Sequence, residues 1–529
     1  MLALRTRSSR MMCRQGLLRF NSSKSPDGKS SNSGSYISTS EIDPVLLDKL
    51  FRNNKPQTSI LPQHGSFALR QRLANIQQKD KFKVLDENLL KLQSTPINFN
   101  YYLRNLKDLK NANQLPYKFG ANQLVSKDSD VNDLLRKVVW EFNAPIRYAF
   151  GYGSKVFDQG STKSSNSQVD MIYAVSYPDH WHSLNIAQNP DHYSSLRHLG
   201  SSIVSQIGEL GAGVYFNPFV KLNFKRSKVD TNFELKYGVT SMNTLINDLI
   251  NWDTMYLSGR LHKPVAVVRN APKICLLNQY NLTNAIKLSL LLTNKTEISE
   301  YGLYHQIAEL SYLGDPRLKA RGEDVRKVDK IVTNQFEQFR EMYLPLLRNY
   351  FPKVVQQITA PESAEHRFKV NLDSQSIAEI IADLPSTFRR RLLSKYSSKY
   401  ESSLASDLFA KRIIAPNQQL ADLKPVKAAA ELSFLDLQQL SEEASLNQIP
   451  VEDWNYLPNT YKVKNSPFIR NVANDDLLVD SLKDTVKETV LRPALIQSLK
   501  GVLTAGVLRS WKYATEKRRK FNQSINNQS

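Results

Sequence analysis

The glycine-rich stretch "FGYGSKVFDQG" (residues 150–160) constrains the fold most strongly, because three glycines and a serine follow an apolar run. A strand that ends in Gly-Tyr-Gly-Ser can bring backbone N–H groups and a hydroxyl close to a phosphate. The stretch lacks the third glycine of a dinucleotide-binding fingerprint and the Gly-Lys-Ser/Thr of a P-loop. Taken alone, it is explained equally well by a purely structural turn.

The strand that follows the turn favours the phosphate-binding interpretation. After a polar spacer of residues 155–167, "QVDMIYAV" places Asp170 at the start of an otherwise apolar strand. A carboxylate there is costly unless it binds a cation or another partner. A Gly-Ser turn, a short spacer and a strand aspartate match the nucleotidyltransferase arrangement, in which the turn holds a triphosphate and the carboxylate holds magnesium.

One feature departs from the general nucleotidyltransferase pattern, in which two acids flank one apolar residue. Gln168 occupies the first of those positions, which leaves Asp170 alone. We therefore expect a second metal ligand from elsewhere, with Asp248 as the first choice. The other candidates are Glu234, Asp158 and Asp179.

The chain as a whole predicts an α+β protein. Short strands ("IRYAF", "VDMIYAV", "GAGVYFNPF", "FELKYGV") alternate with helices ("VNDLLRKVVWEF", "HYSSLRHLGSSIVSQIGEL", "MNTLINDLINWDTMYL") and predict a mixed sheet covered by helices over residues 118–268. Helical spacing predicts a separate helical domain over residues 269–400. Residues 36–117 are predicted as a helical extension, 401–480 as an insertion or linker, and 481–529 as a C-terminal region with an amphipathic membrane-associating helix. Pro493 is the expected first position of the long helix in that region.

Charge and targeting signals narrow the class of protein. The 529 residues carry a formal charge of +21, which favours partners that bear phosphate. Residues 1–35 are predicted as a mitochondrial transit peptide and linker, because arginines alternate with apolar residues and no acid precedes Asp27. With only Cys13 and Cys275, an internal disulfide and a thiolate zinc site are excluded once the transit peptide is removed.

Several blocks in order resemble the mitochondrial translocator assembly and maintenance (Tam) family of phosphatidate cytidylyltransferases. They are "FGYGSKVFDQG", "VDMIYAVSYPDHWHSLNIAQNPDHYS", "GAGVYFNPF", "KYGV", "DLINWDTMYLSGRLHKPV", "LSYLGDPR", "GEDVRKVDKIV" and "TVKETVLRPALIQSLKGVLTAGVLRSWK". The resemblance implies a nucleotidyltransferase domain, a winged-helix-like domain and a C-terminal helix on the matrix face of the inner mitochondrial membrane. It also implies the conversion of CTP and phosphatidic acid to CDP-diacylglycerol and pyrophosphate, with Mg²⁺ as cofactor, on the route to cardiolipin.

Carried over position by position, the resemblance implies the following site. The nucleotide would be held by Gly151, Tyr152, Gly153, Ser154, Lys155, Tyr215, Asn217 and Tyr237. Asp170 and Asp248 would bind the metal and, with Lys236, form the catalytic set. The candidates for the lipid phosphate are Arg260, Lys263, His182 and His192.

Purely structural interpretations remain open for several of these residues. Tyr215 and Asn217 can equally pack a strand, and Arg260 and Lys263 can form a solvated charge pair. The histidines 180, 182, 192 and 198 lack the tight ligand pairs of a zinc site and are interpreted as pocket lining. The C-terminal helix can pack on the protein core, but its basic end favours an anionic membrane surface.

Two other functions compete with the lipid cytidylyltransferase. A mitochondrial RNA nucleotidyltransferase would use the same fold, but such enzymes keep the paired acids that Gln168 breaks, and we expect no nucleic-acid partner. A non-enzymatic matrix factor for translocase assembly would have no use for the Gly-Ser turn and Asp170.

Overall fold

The computed structural model describes residues 96–116, 118–125, 129–153, 156–157, 168–223, 232–319, 326–360, 363–414, 463–464, 466–506 and 515. The predicted transit peptide, most of the predicted helical extension and residues 415–462 of the predicted insertion lie outside these ranges. All described residues belong to one compact unit, Val84–Ser529. Within that unit, no described helix is both long enough and apolar enough to cross a bilayer.

The first part of the unit combines strands and helices, as the sequence predicts. Its helices are α1 (Phe99–Arg104), α2 (Ser129–Trp140), α3 (Pro178–Gln188), α4 (Ser201–Glu209), α5 (Met242–Asn251) and α6 (Leu257–Leu261). Short 3₁₀ turns cover Ala112–Gln114, Ala121–Gln123, Pro190–His192 and Ser195–Leu199. Its strands are β1 (Tyr148–Tyr152), β2 (Val169–Val175), β3 (Val214–Asn223), β4 (Asn232–Ser241) and β5 (Ala266–Arg269).

These strands form one mixed sheet in the order β3-β4-β2-β1-β5. Only β2 and β4 are parallel; the other neighbours are antiparallel. The parallel pairing is possible because α3 and α4 lie in the long connection between β2 and β4. Because successive residues of a strand point to opposite sides of the sheet, the two sides of the sheet face different helices.

The second part is mainly helical. Its helices are α7 (Pro272–Thr293), α8 (Glu300–Glu309), α9 (Pro316–Lys319), α10 (Lys327–Asn334), α11 (Phe336–Tyr350), α12 (Ser374–Asp383), α13 (Ser386–Ser394), α14 (Glu401–Ser406), α15 (Leu408–Ile414), α16 (Pro467–Ala473) and α17 (Leu478–Ala505). Three short strands, β6 (Glu297–Ser299), β7 (Val355–Gln357) and β8 (Arg367–Val370), form a small antiparallel sheet in the order β6-β8-β7. That small sheet was not predicted, because strands of three or four residues are too short to show a period.

The C-terminal helix begins earlier than predicted. Helix α17 has 28 residues and contains Pro493 in its interior instead of at its first position. The prediction was wrong because proline is common in the first turn of a helix, and the sequence upstream of Pro493 was not counted as helical.

Side-chain alternation gives the five-stranded sheet two faces. Residues opposite each other in neighbouring strands point to the same side, and successive residues point to opposite sides. The pairs Tyr152 with Asp170 and Asp170 with Lys236 define one side, which we call the Asp170 face. The pairs Met171 with Tyr237 and Asn217 with Tyr237 define the other, which we call the Tyr237 face.

Each face buries its own apolar cluster. The Asp170 face packs against α5, α6 and the start of α7 through Phe150, Ile172, Leu245, Leu257 and Ile274. The Tyr237 face belongs to the large core that includes Leu135 of α2 and Trp181 of α3. At the end of the sheet where β1 ends and β2 and β4 begin, the Asp170 face carries the charged residues Asp170, Glu234 and Lys236.

Candidate active site

The glycine turn and Asp170 lie side by side where the interior strand β1 ends and its neighbour β2 begins. Antiparallel pairing places Tyr152, the last residue of β1, opposite Asp170. Gly153 follows with φ of +90°, a backbone conformation that favours glycine. A Cβ atom at Gly153 would lie 3.2 Å from Oδ2 of Asp170, so the carboxylate is directed into the turn.

Lys236 forms an ion pair with Asp170. The parallel register of β2 and β4 puts the two residues opposite each other, and Nζ of Lys236 lies 3.3 Å from Oδ1 of Asp170. The two side chains are 20% and 27% exposed, so this ion pair remains in contact with solvent. A ligand can therefore reach both groups without disturbing the core.

A second cation lies beside this pair. Cζ of Arg260, on α6, lies 4.2 Å from the ring centroid of Tyr152, within the range of a cation–π contact. Nζ of Lys236 lies 4.9 Å from the ring centroid of Phe216 on β3. Two aromatic rings on the Asp170 face thus position two cations around one carboxylate, an arrangement suited to a polyanionic ligand that brings a divalent metal.

Gly238 makes room for this aromatic support. A Cβ atom there would lie 2.7 Å from Cε1 of Phe216 and 2.8 Å from Cδ1 of Ile172. No side chain fits without displacing the Phe216 ring. Sequence reasoning missed Phe216, and the signal that could have found it is the alternation along "GVYFNPF", which sets Phe216 apart from Tyr215 and Asn217.

Lys263 is present near the site but is already engaged. Its Nζ donates to the carbonyl of Gly259 and to Oγ of Ser311, each at 2.6 Å. Burial lowers the pKa of the Lys263 ammonium well below its usual range, and the nearby Arg260 lowers it further. Lys263 therefore connects α6 to the end of α8, and this geometry does not present it to a lipid phosphate.

Tyr215, Asn217 and Tyr237 lie on the other face of the sheet and are fully buried. The hydroxyl of Tyr237 accepts hydrogen bonds from the side-chain amides of Asn185 and Asn217, each at 2.9 Å. The family resemblance placed these three residues in the nucleotide site, but their strand positions put their side chains on the face opposite Asp170 and Lys236. The side-chain period of two separates them from that site.

The same buried network holds His182 and His192. Nδ1 of His192 lies 3.0 Å from the Tyr237 hydroxyl, and Nδ1 of His182 lies 2.9 Å from the Tyr193 hydroxyl. Burial lowers the pKa of His182 to about 3, so its ring is neutral near neutral pH. The structure gives these histidines packing and hydrogen-bonding contacts on the Tyr237 face, away from Asp170 and Lys236.

The expectation that Asp248 is a metal ligand finds no support in its contacts. Asp248 is buried on α5, and both of its carboxylate oxygens accept hydrogen bonds from the following loop. Oδ1 accepts from the backbone N–H groups of Thr254 and Met255, and Oδ2 from those of Leu257 and Ser258. The carboxylate stabilises the loop that leads into α6, and this loop positions Arg260.

The other predicted ligands are dispersed. Glu234 is half-buried on the Asp170 face, two residues before Lys236, whereas Asp179 is exposed in the first turn of α3. Ser154, Lys155 and Asp158 lie outside the described residues. Where side chains are described, no group of three or more His, Cys, Asp or Glu residues is arranged to hold a metal ion.

A single accessible carboxylate nevertheless fits magnesium that arrives with a nucleotide. Mg²⁺ is usually held by one or two carboxylates together with substrate phosphates and water. Oδ2 of Asp170 faces the space beside Gly153 that a Cβ atom would fill. The residues present therefore suit a metal–triphosphate complex better than a permanently bound ion.

Comparisons with known proteins identify the family of the chain. A family model described as mitochondrial phosphatidate cytidylyltransferase matches residues 135–520. The chain belongs to this family. The match includes the sheet, the glycine turn, the second part of the unit and helix α17.

Individual relatives show the same relationship. A Saccharomyces cerevisiae protein named mitochondrial phosphatidate cytidylyltransferase is 40% identical over 282 residues, which cover 51% of this chain and 70% of the relative. A Schizosaccharomyces pombe protein of the same name is 32% identical over 401 residues, or 75% of this chain and 86% of the relative. A mouse relative of that name is 35% identical over 265 residues, covering 49% and 73%.

Proposed function

We propose that this chain is a mitochondrial phosphatidate cytidylyltransferase, which makes CDP-diacylglycerol and pyrophosphate from CTP and phosphatidic acid. Family membership supports the reaction. One structural observation supports our proposal for the position of the active site. Asp170 is directed into the Gly153 turn beside Lys236. This product would feed cardiolipin synthesis.

The triphosphate of CTP binds over the Gly153 turn on the Asp170 face. Lys236 and Arg260 neutralise its phosphates, and the rings of Phe216 and Tyr152 hold these two cations in place. Asp170 would hold Mg²⁺, which when bound offsets the charge that develops on the phosphate oxygens. Preorganised positive charge of this kind is the largest source of rate enhancement in many transfer reactions.

The lipid phosphate is the nucleophile. One of its oxygens forms a bond to the α-phosphorus of CTP as the bond from that phosphorus to the bridging oxygen of the β-phosphate breaks, and pyrophosphate leaves with the bonding pair. The attacking phosphate is already ionised near neutral pH, so no side chain has to remove a proton. Positioning and charge neutralisation by Lys236 and Arg260 then account for most of the rate.

The C-terminal helix is proposed to hold the enzyme on the membrane that contains its substrate. The outer side of α17 exposes Leu491, Leu495, Leu499, Val502 and Leu503. Basic residues dominate the sequence that follows, as expected for attraction to anionic lipid. We place the protein at the matrix side of the inner mitochondrial membrane as a peripheral protein.

The assay uses purified protein, labelled CTP, magnesium and either phosphatidate liposomes or RNA. We expect lipid-dependent formation of CDP-diacylglycerol that is lost in Asp170→Ala. Extension of RNA would contradict the proposal in favour of an RNA nucleotidyltransferase. Absence of turnover with both acceptors would leave a binding protein without catalysis.

A further inference from the structure

Helix α17 is exposed on one side and buried on the other. The spacing of its exposed aliphatic residues, at positions 491, 495, 499, 502 and 503, places them on one side of the helix. The opposite side buries Ala494, Gln497, Lys500 and Thr504. We call the exposed side the helix stripe.

The buried side of α17 fixes the helix to the domain that carries the candidate active site. Nζ of Lys500 donates to the carbonyls of Gly208 and Leu210, at 2.9 and 2.7 Å. Nε2 of Gln497 donates to the carbonyl of Val214 at 3.0 Å. The helix therefore rests on the end of α4 and on the loop that leads into β3.

The same part of that domain has exposed apolar residues of its own. Leu199, Ile203 and Leu210 are 62%, 38% and 55% exposed. We call these three residues the α4 patch. Single exposed leucines are ordinary, but apolar residues grouped beside another exposed apolar surface indicate an interaction site.

The α4 patch and the helix stripe are neighbours. The Leu210 carbonyl is one of the two groups that Lys500 binds. Oγ of Ser194 donates to the carbonyl of Leu503, the last residue of the stripe, at 3.2 Å. The segment that carries the patch thus contacts α17 on its buried side, through Lys500, and at the backbone of Leu503, the last residue of the stripe.

Charge indicates what covers this combined surface. Arg197 beside the patch pairs with Asp191 at 3.6 Å, so the positive charge comes from α17, which carries Arg492, and from the sequence after Gly506, which holds six basic residues against one acid, Glu516. An anionic lipid bilayer offers both an apolar interior and negative charge. A second copy of the chain would bring the same positive charge to the contact and repel it.

We propose that the α4 patch and the helix stripe together form one membrane-binding surface, so that the catalytic domain itself contacts the bilayer. This inference deepens the proposed function and rests on it for the identity of the membrane. Because α17 is fixed to the domain, two separate contacts determine the angle of the domain on the bilayer, whereas the helix stripe alone would leave rotation about the helix axis undetermined. The α4 patch then acts in positioning, and it does not take part in the chemical step.

The first test is flotation of the full chain with vesicles of phosphatidylcholine and phosphatidate. We expect Leu199→Ser combined with Leu210→Ser to weaken vesicle binding by about tenfold, because two apolar insertions are lost. The matched control combines Leu124→Ser with Ile358→Ser, whose side chains are similarly exposed at 55% and 49% but lie on other elements. Both double variants should keep wild-type activity on detergent-dispersed phosphatidate, which shows that they are folded.

A second test reports insertion directly. In a Cys13→Ser background, Leu199→Cys and Ile358→Cys are each labelled with a polarity-sensitive fluorophore, and Cys275 is buried. We expect a blue shift on vesicles for the label at position 199 and none at position 358. Equal vesicle binding by both double variants, with no shift at position 199, would overturn the inference.

Two other results would show either that the α4 patch contacts a different partner or that the proposed function fails. If Leu199→Ser with Leu210→Ser lowered the oligomeric state in sedimentation but left vesicle binding intact, the patch would contact a second copy, and the inference would be wrong. If the wild-type chain bound vesicles through both surfaces but did not turn over CTP, the proposed function would fail and the membrane contact would stand.

Discussion

The two faces of the five-stranded sheet differ in what their polar residues do. On the Asp170 face, Asp170 and Lys236 form an ion pair that remains partly exposed beside the glycine turn. On the Tyr237 face, Tyr237 and Asn217 are fully buried and hydrogen-bonded. Lys236 and Tyr237 are adjacent in the chain, so a single step along β4 separates a residue of the proposed ligand site from a residue that is hydrogen-bonded in the core.

The difference shows that a short motif on a strand can have two functions. In "KYGV", Lys236 and Gly238 face one side, and Tyr237 and Val239 the other. A ligand can use only the alternate residues that share an accessible face. The motif therefore predicts both a binding residue and a buried tyrosine.

The largest expected effect is on the Asp170 face. Lys236→Met should lower kcat/KM by about a hundredfold, because it removes a positive charge from the proposed triphosphate site. The melting temperature should change little, since the side chain is partly exposed. Steady-state kinetics with CTP and phosphatidate test this, with the exposed Lys221→Met on β3 as the control.

The neighbouring substitution on the Tyr237 face should have the opposite signature. Tyr237→Phe removes the hydroxyl that pairs with Asn185, Asn217 and His192, and leaves buried polar groups without that partner. We expect a loss of about 2 kcal/mol in the free energy of unfolding, with the activity of the folded enzyme retained.

Denaturant unfolding and activity below the transition measure both quantities for Tyr237→Phe. The exposed Tyr177→Phe serves as the control. Unchanged stability together with lost activity would mean that Tyr237 contacts substrate, and the distinction between the two faces would then be wrong.

A smaller effect concerns pH. Burial lowers the pKa of His182 to about 3, whereas an unfolded histidine titrates near its usual value of about 6.5. Between these values the unfolded chain binds a proton that the folded chain does not, so stability is full above about pH 6.5 and is lost as the pH falls. Relative to His182→Gln, the wild type should lose about 1 kcal/mol more between pH 7.5 and 5.5.

Denaturant unfolding of both proteins across this pH range checks the prediction. Parallel stability curves for the wild type and His182→Gln would show that His182 is solvated and titrates normally in the folded protein. The Tyr237 face would then be accessible to water at that point.

Strand positions could be read from the sequence, but strand register could not. The apolar run at β2 and the glycine turn predict their own local structure, and Asp170 is conspicuous because a carboxylate begins an apolar strand. Which residue of β4 lies beside Asp170 depends on pairing across the chain connection that contains α3 and α4. Local propensity carries no information on that pairing. The resemblance grouped Tyr215, Asn217 and Tyr237 with Asp170, and the register places their side chains on the opposite face.

Asp248 shows a second limit of sequence reasoning. The sequence of an amphipathic helix does not distinguish an aspartate that binds a metal from one that accepts backbone N–H groups of the following loop. Only the contacts of its two oxygens with residues 254–258 distinguish the two roles. Similarly, the preference of proline for the first turn of a helix placed the start of α17 at Pro493, whereas the helix begins at Leu478.

The most direct measurement of the central claim is a crystal structure grown with CTP and Mn²⁺, in which the anomalous signal locates the metal. The account predicts a manganese peak bonded to the Asp170 carboxylate, with the triphosphate over Gly153 and within reach of Lys236 and Arg260. A metal–nucleotide complex bound elsewhere, with Asp170 still paired only to Lys236, would contradict it.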